Sequence, residues 1–176
     1  MKRWLIILTL LLVPTVSFAQ QKDVTKMQRF MSKTGKIIKF IDHNLPDIPT
    51  RYSSIESKIR TIEVSGEREN FFQIEKKAEY GKKVASIAEE DLIELIKALN
   101  KLKQMVATDI QSDPDYLENK FVTEDGFQVG YYVSHREAKW FIVLERFGSD
   151  NTVFFNNVGI IKTAFALALK KMRALK

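Results

Sequence analysis

One succession of segments occurs twice along this chain and limits what it can fold into. An aromatic-rich strand, a Gly turn, a second strand and an amphipathic helix follow one another in FFQIEKKAEYGKKVASIAEEDLIELIKALNKL, which starts at Phe71. The same succession returns in WFIVLERFGSDNTVFFNNVGIIKTAFALALKK, which starts at Trp140. The helical parts carry the stronger signal. Leu92, Ile96, Leu99, Leu102 and Val106 recur every three or four residues, as do Ile161, Ala164, Phe165, Ala168, Met172 and Leu175. Each helix therefore presents one apolar stripe that needs a surface to cover it. Glu89, Glu90 and Asp91 place three carboxylates at the positive end of the first helix's dipole. Two such helices among short strands define an α+β protein, an antiparallel sheet or sheets packed against two amphipathic helices. The strand-strand-strand-helix unit divides residues 35–176 into halves 35–110 and 111–176, which reflect either a duplication or a common supersecondary habit.

Turn residues punctuate the strands. Gly35 to Ile41 reads as a strand, whereas Asp42 to Tyr52 reads as a loop because Pro46 and Pro49 break a β-ladder. Lys58 to Val64 is rich in β-branched residues and stops at Gly66. Asn70 to Glu79 and Lys82 to Ala88 flank a turn at Tyr80-Gly81. Beyond the first helix, Ser112-Asp113-Pro114-Asp115 ends one element and starts another, with Asp113 as a cap. Lys120 to Thr123, Phe127 to Ser134, Lys139 to Glu145 and Thr152 to Phe155 follow as strands, the first two joined at Asp125-Gly126. The last helix spans Val158 to Leu175.

The hairpin from Phe127 to Glu145 constrains side-chain placement most tightly. A loop within His135 to Ala138 pairs Val133 with Trp140, Tyr131 with Ile142 and Val129 with Leu144, all on the core face. The opposite face then pairs Ser134 with Lys139, Tyr132 with Phe141, Gly130 with Val143 and Gln128 with Glu145. That face is not cleanly polar. Tyr132, Phe141 and Val143 around Gly130 form an apolar spot that either another element covers or a partner meets.

The N-terminus resembles an export signal in its physical layout. Lys2 and Arg3 precede the apolar run Trp4 to Val13, then Pro14 and the small residues of Ser17-Phe18-Ala19. A run of about ten apolar residues is too short for a bilayer-spanning helix of about twenty. Cleavage after Ala19 is expected, with residues 1–19 as the signal peptide. Removing 19 of the 176 residues leaves 157, enough for one domain with its own core. That core has to suffice, since the chain has no Cys and hence no disulfide, thiolate nucleophile or zinc–thiolate site. Without Lys2 and Arg3 the net charge falls from +6 to +4, too weak a bias to indicate nucleic-acid binding. The excess is concentrated in residues 20–34 and just beyond, where Lys22, Lys26, Arg29, Lys33, Lys36 and Lys39 oppose Asp23. Such a segment reads as solvated and partly frayed or as a contact for anionic lipid, with Met27, Phe30 and Met31 marking one short helical turn that docks.

Motifs of chemistry are sparse. His43 in the Pro-bounded segment and His135 in a turn lack the HExxH spacing of a zinc site. No GxSxG or glycine-rich phosphate loop occurs. Glu89, Glu90 and Asp91 are accounted for by the helix start, with no opposing carboxylates for glycoside cleavage. Asp109, Asp113, Asp115 and Glu118 lack the central Gly and alternating ligands of an EF-hand loop. No catalytic, cofactor-binding or metal-ligating residue is assigned.

The stretches IEKKAEYGKKVASIAEEDLIELIKALNKLK, DPDYLENKFVTEDGFQVGYYVS and FGSDNT resemble a group of small exported proteins of Gram-negative gut bacteria that carry a domain of unknown function. The resemblance runs from about Gly35 to the end. It implies export and a compact α+β domain, and transfers no site residue. The expected protein is thus periplasmic or secreted, and binds or scaffolds instead of catalysing. Its partner would be an envelope protein, glycan or lipid meeting Tyr132, Phe141 and Val143. Two alternatives stay open: a hydrolase using carboxylates or His135, and a peripheral envelope protein held by its basic N-terminal segment.

Overall fold

The computed structural model describes residues 24–32, 35–79 and 81–176, so the expected signal peptide and much of the basic segment lie outside the described residues. The elements are α1 (Lys26–Met31), β1 (Ile38–Pro49), β2 (Ser54–Val64), β3 (Glu67–Lys77), β4 (Lys82–Ala88) and α2 (Glu89–Gln111). The second half continues with β5 (Leu117–Val122), β6 (Gln128–Ser134), β7 (Glu137–Val143), β8 (Thr152–Phe155) and α3 (Val158–Ala174). The class is α+β. Two four-stranded antiparallel meanders, β1-β2-β3-β4 and β5-β6-β7-β8, are each followed by a long helix. Each half thus holds the four strands that its segments read one by one from the sequence, one more than the strand-strand-strand-helix unit counts.

The helices exchange partners. α2, which follows the first sheet, lies mainly across β5–β7 of the second, while α3 lies across β1–β3 of the first, and the two helices pack on each other. One core results, built from the inner faces of both sheets. Phe165 of α3 marks the junction, with its ring 6.0 Å from that of Phe72 on β3 and 6.1 Å from that of Phe127 beside β6. In α2 the fully buried positions are Leu92, Leu95 and Leu99, with Leu102 close behind. Full burial of each such side chain contributes about 1.5–3 kcal/mol. Ile96 and Val106, expected on the stripe, are only half-buried, because the helix turns Leu95 toward the sheets. The three carboxylates at its start link the helices: Lys26 of α1 bonds Glu90 and Asp91, and Arg173 and Lys176 at the end of α3 meet Glu89.

Three expectations need correction. First, Asp42–Pro49 is strand. β1 is the edge of its sheet, where proline costs no inner ladder bond. Leu45 pairs with Ser57 and Ile48 with Ile55, so Pro46 and Asp47 together oppose Glu56 in a β-bulge. His43 accordingly sits within the ladder, opposite Ile59. Second, the β6–β7 register is displaced by two residues. Tyr131 pairs with Trp140, Val129 with Ile142 and Gly130 with Phe141, around a two-residue turn at His135-Arg136. Both turn residues have positive φ, 53° and 61°, as a type I′ turn demands. Because the displacement is even, the core face keeps its residues. Third, Asp113 caps no new helix: it is the left-handed residue (φ 51°) that follows the C-cap Ser112 of α2.

The short α1 docks on the outer face of the first sheet. Met27, Phe30 and Met31 pack with Ile38 against Ile62, Phe71 and Ala88, as the expected docking turn requires. Phe71 and Phe72, adjacent on β3, therefore serve opposite sides of one sheet. Lys26 and Arg29 face carboxylates of the domain, Arg29 reaching Glu124 at 2.8 Å. Among the described residues no helix is long and apolar enough to cross a membrane.

Candidate functional site: an aromatic face on the second sheet

The even residues of β6 and the odd residues of β7 point away from α2 and α3. This outer face holds Tyr132, Phe141 and Val143, the three residues singled out in the sequence, and adds Phe154 of β8 and Tyr116 just before β5. Among the described residues none of the helices packs on it; α1 occupies the outer face of the other sheet only. The aromatic rings cover one another. Tyr116 stacks on Tyr132 with centroids 5.9 Å apart, and Phe141 and Phe154 meet Tyr132 at 6.5 and 6.3 Å. Lys139 lies over the Tyr132 ring at 5.7 Å.

These residues are not equally reachable. Tyr116 is 61% exposed, Tyr132, Val143 and Phe154 are half-buried, and Phe141 is only 5% exposed. Gly130 explains Phe141. It faces Phe141 across the ladder, and a Cβ at Gly130 would lie 2.3 Å from the Asn119 carbonyl oxygen. β5 approaches β6 so closely here that only glycine fits, and the Phe141 ring lies opposite the residue without a side chain. Phe141 therefore supports Tyr132 from below, while Tyr132 and Tyr116 form the accessible rim. Tyr116 donates a hydrogen bond to Glu118, which also meets Lys120 at 2.8 Å. The Lys120 and Tyr116 bonds hold the Glu118 carboxyl below its usual range, and the bond to Glu118 pushes the Tyr116 phenol up.

At one side this face runs into a cleft where the two sheets meet. The Arg51 N–H donates to the Phe154 carbonyl at 2.9 Å, joining the β1–β2 turn to β8. Lys76 on β3 reaches across to Asp150 Oδ1 at 2.5 Å and to the carbonyls of Asp150 and Thr152. The cleft above this seam has a volume of about 590 Å³.

The other candidate groups are dispersed. His135 is exposed and shares a 2.9 Å hydrogen bond with Ser134, while Arg136 beside it pairs with Asp113. Asp109 accepts from Tyr131 and Asn119 inside the domain, whereas Glu118 lies on the outer face, so Asp109, Asp113 and Glu118 have separate partners. The described residues contain no group of three or more His, Asp or Glu placed to hold a metal. Two buried side-chain atoms in the described residues lack a partner, His43 Nε2 and Gln73 Oε1. The sequence reading did not include Tyr116, Tyr52 or Phe154 in a site, since each lies in a different strand or loop and only the sheet order brings them together.

Protein-family models, curated proteins and solved structures yield no match to this chain. Its class rests on its own architecture: an α+β domain with interlocked halves and an aromatic sheet face that no element among the described residues covers.

Proposed function

We propose that this protein is an exported binding module of a bacterial cell envelope, and that Tyr132, with Tyr116 and Val143, forms the contact face. The observation that carries this reading is the asymmetry between the two sheets. The apolar patch of Ile62, Phe71 and Ala88 on the outer face of the first sheet is covered by α1, with only Phe40 of the edge strand left half exposed, whereas the more aromatic outer face of the second carries no covering element among the described residues. Accessible rings held rigid by their neighbours contribute contact area at low entropic cost, which is why Tyr recurs on recognition surfaces. Export follows from the basic, apolar and small-residue pattern of residues 1–19. The resemblance to small exported proteins of gut bacteria is in keeping with it. On this reading the chain meets a protein, glycan or lipid of the envelope and catalyses nothing itself.

Cosedimentation of the chain from Gln20 onward with separated envelope fractions, cell-wall sacculi and membrane vesicles, tests the proposal. Binding to one fraction is expected, and Tyr132→Ala combined with Tyr116→Ala should reduce it by about tenfold, the effect of roughly 1.4 kcal/mol. Equal binding by this variant, or no binding to any fraction, contradicts the proposal.

A further inference from the structure

We infer that the seam cleft between the two sheets is a binding site for a neutral oligosaccharide, an inference that rests on the binding-module reading and narrows its ligand. The cleft is walled on one side by the β1–β2 turn and the ends of β2 and β3, and on the other by β8. Its volume of about 590 Å³ lies within the ~300–1,000 Å³ common to small-molecule sites. Two aromatic residues line it: Tyr52, 81% exposed at the turn with the Arg51 guanidinium 5.8 Å from its ring centroid, and Phe154, which continues into the Tyr132 face. The rest of the lining is mixed, the apolar Ile55 and Val153 beside the hydroxyls of Thr50, Ser53 and Thr152 and the charged groups of Glu56, Lys77 and Asp150.

The state of those charges selects the ligand. Asp150 is held by Lys76 at 2.5 Å, Glu56 by Lys77 at 3.5 Å, and Glu75 at the floor by Lys58 and Lys82 at 2.5 and 2.9 Å. Apart from the exposed Asp47, which no cation among the described residues meets, a charged ligand would have to displace a partner already in place, with little net gain. A sugar need not, because its hydroxyls both donate and accept and can join carboxylate and ammonium at once. The weakly polar C–H face of a pyranose ring fits an exposed aromatic ring such as Tyr52. The bulge in β1 adds a further acceptor, since the two-against-one pairing turns Asp47 into the cleft lining. Fixed acceptors and donors beside two aromatic residues suit a short, uncharged polyhydroxylated chain.

The test is an amide-resolved NMR titration of the chain from Gln20 onward with cello-, chito- and malto-oligosaccharides, a lysine-rich and a glutamate-rich peptide serving as comparisons. One saccharide series is expected to shift the amides of residues 50–56, 77 and 150–154. Tyr52→Ala should weaken binding by about tenfold, one stacking contact, and Glu56→Gln should weaken it less. Both residues are exposed, so neither substitution threatens the fold. Seam amides unmoved by every saccharide, shifts unaffected by Tyr52→Ala, or a response to a peptide alone overturns the inference. If the saccharides fail while Tyr132→Ala with Tyr116→Ala still reduces sedimentation with an envelope fraction, the cleft assignment falls and the binding face stands. If both fail, both readings fall.

Discussion

Tyr131 shows how a single side chain joins elements that the sequence separates widely. Its ring is fully buried and its hydroxyl donates to Asp109 in the last turn of α2, while Asn119 of β5 donates to the same carboxylate oxygen at 2.5 Å. Burial, and next the bond to Asp109, push the phenol up to about 12. An unfolded chain's tyrosine ionises near ~10. The folded state therefore holds this proton more tightly, so its stabilising effect is complete below pH ~10 and is lost as pH rises from there through about 12. An absorbance titration of the phenolates should show the last one forming together with loss of near-ultraviolet circular dichroism. Tyr131→Phe should remove that coincidence and cost about 1–2 kcal/mol at neutral pH by taking a donor from a half-buried carboxylate. Tyr131 was legible as a core residue from its strand's alternation. Its hydrogen bond was not, because nothing in the local pattern says that the end of α2 lies over β6.

At the scale of elements, turn chemistry decided what could be read. Ser65-Gly66 and His135-Arg136 are both two-residue turns with positive φ throughout. The first carries a glycine and was read correctly as the end of a strand. The second carries none, so the β6–β7 register came out two residues off while both faces stayed right. Two tethers hold this costly turn: Ser134 to His135, and Arg136 bidentate to Asp113. Replacing the pair by Asn-Gly (H135N with R136G) should raise stability by about 1 kcal/mol in chemical denaturation, since relief of left-handed strain outweighs an exposed ion pair. A loss of stability would mean that the register depends on Arg136 and Asp113 instead. The part of β1 from Asp42 to Pro49 escapes the sequence pattern for a related reason. Pro46 and Pro49 argue against a central strand, but the sequence does not announce that this strand is an edge with a bulge. The helices were the most legible elements, because their stripes follow from spacing alone, though which residue of Leu95 and Ile96 faces inward depends on the partner sheet.

Across the whole molecule, the exchange of helices between halves is the main architectural fact. Sequence periodicity revealed two similar units but not that each helix covers the other unit's sheet. Each helix also touches one edge of its own sheet, but neither half can then cover its whole inner face, and an exposed inner face such as Ile59, Phe72 and Ile74 would be a large apolar patch. Fragments 35–110 and 111–176, made separately, should lack cooperative unfolding, and mixing them should restore native-like circular dichroism. A fragment that melts cooperatively alone would contradict interlocking. The same architecture sets the candidate site: with α2 and α3 occupied inside, no element among the described residues covers the outer face of the second sheet, and β8 brings it to the seam.

That open face is the central claim, and site-specific photocrosslinking in the producing cell tests it most directly. A photoreactive phenylalanine derivative replaces Tyr116 or Tyr132, and, as a comparison, Lys101 on the exposed side of α2. The account predicts an adduct of one defined mass from positions 116 and 132 and none from 101. Absence of adducts at the aromatic face, or the same adducts from all three positions, would contradict it.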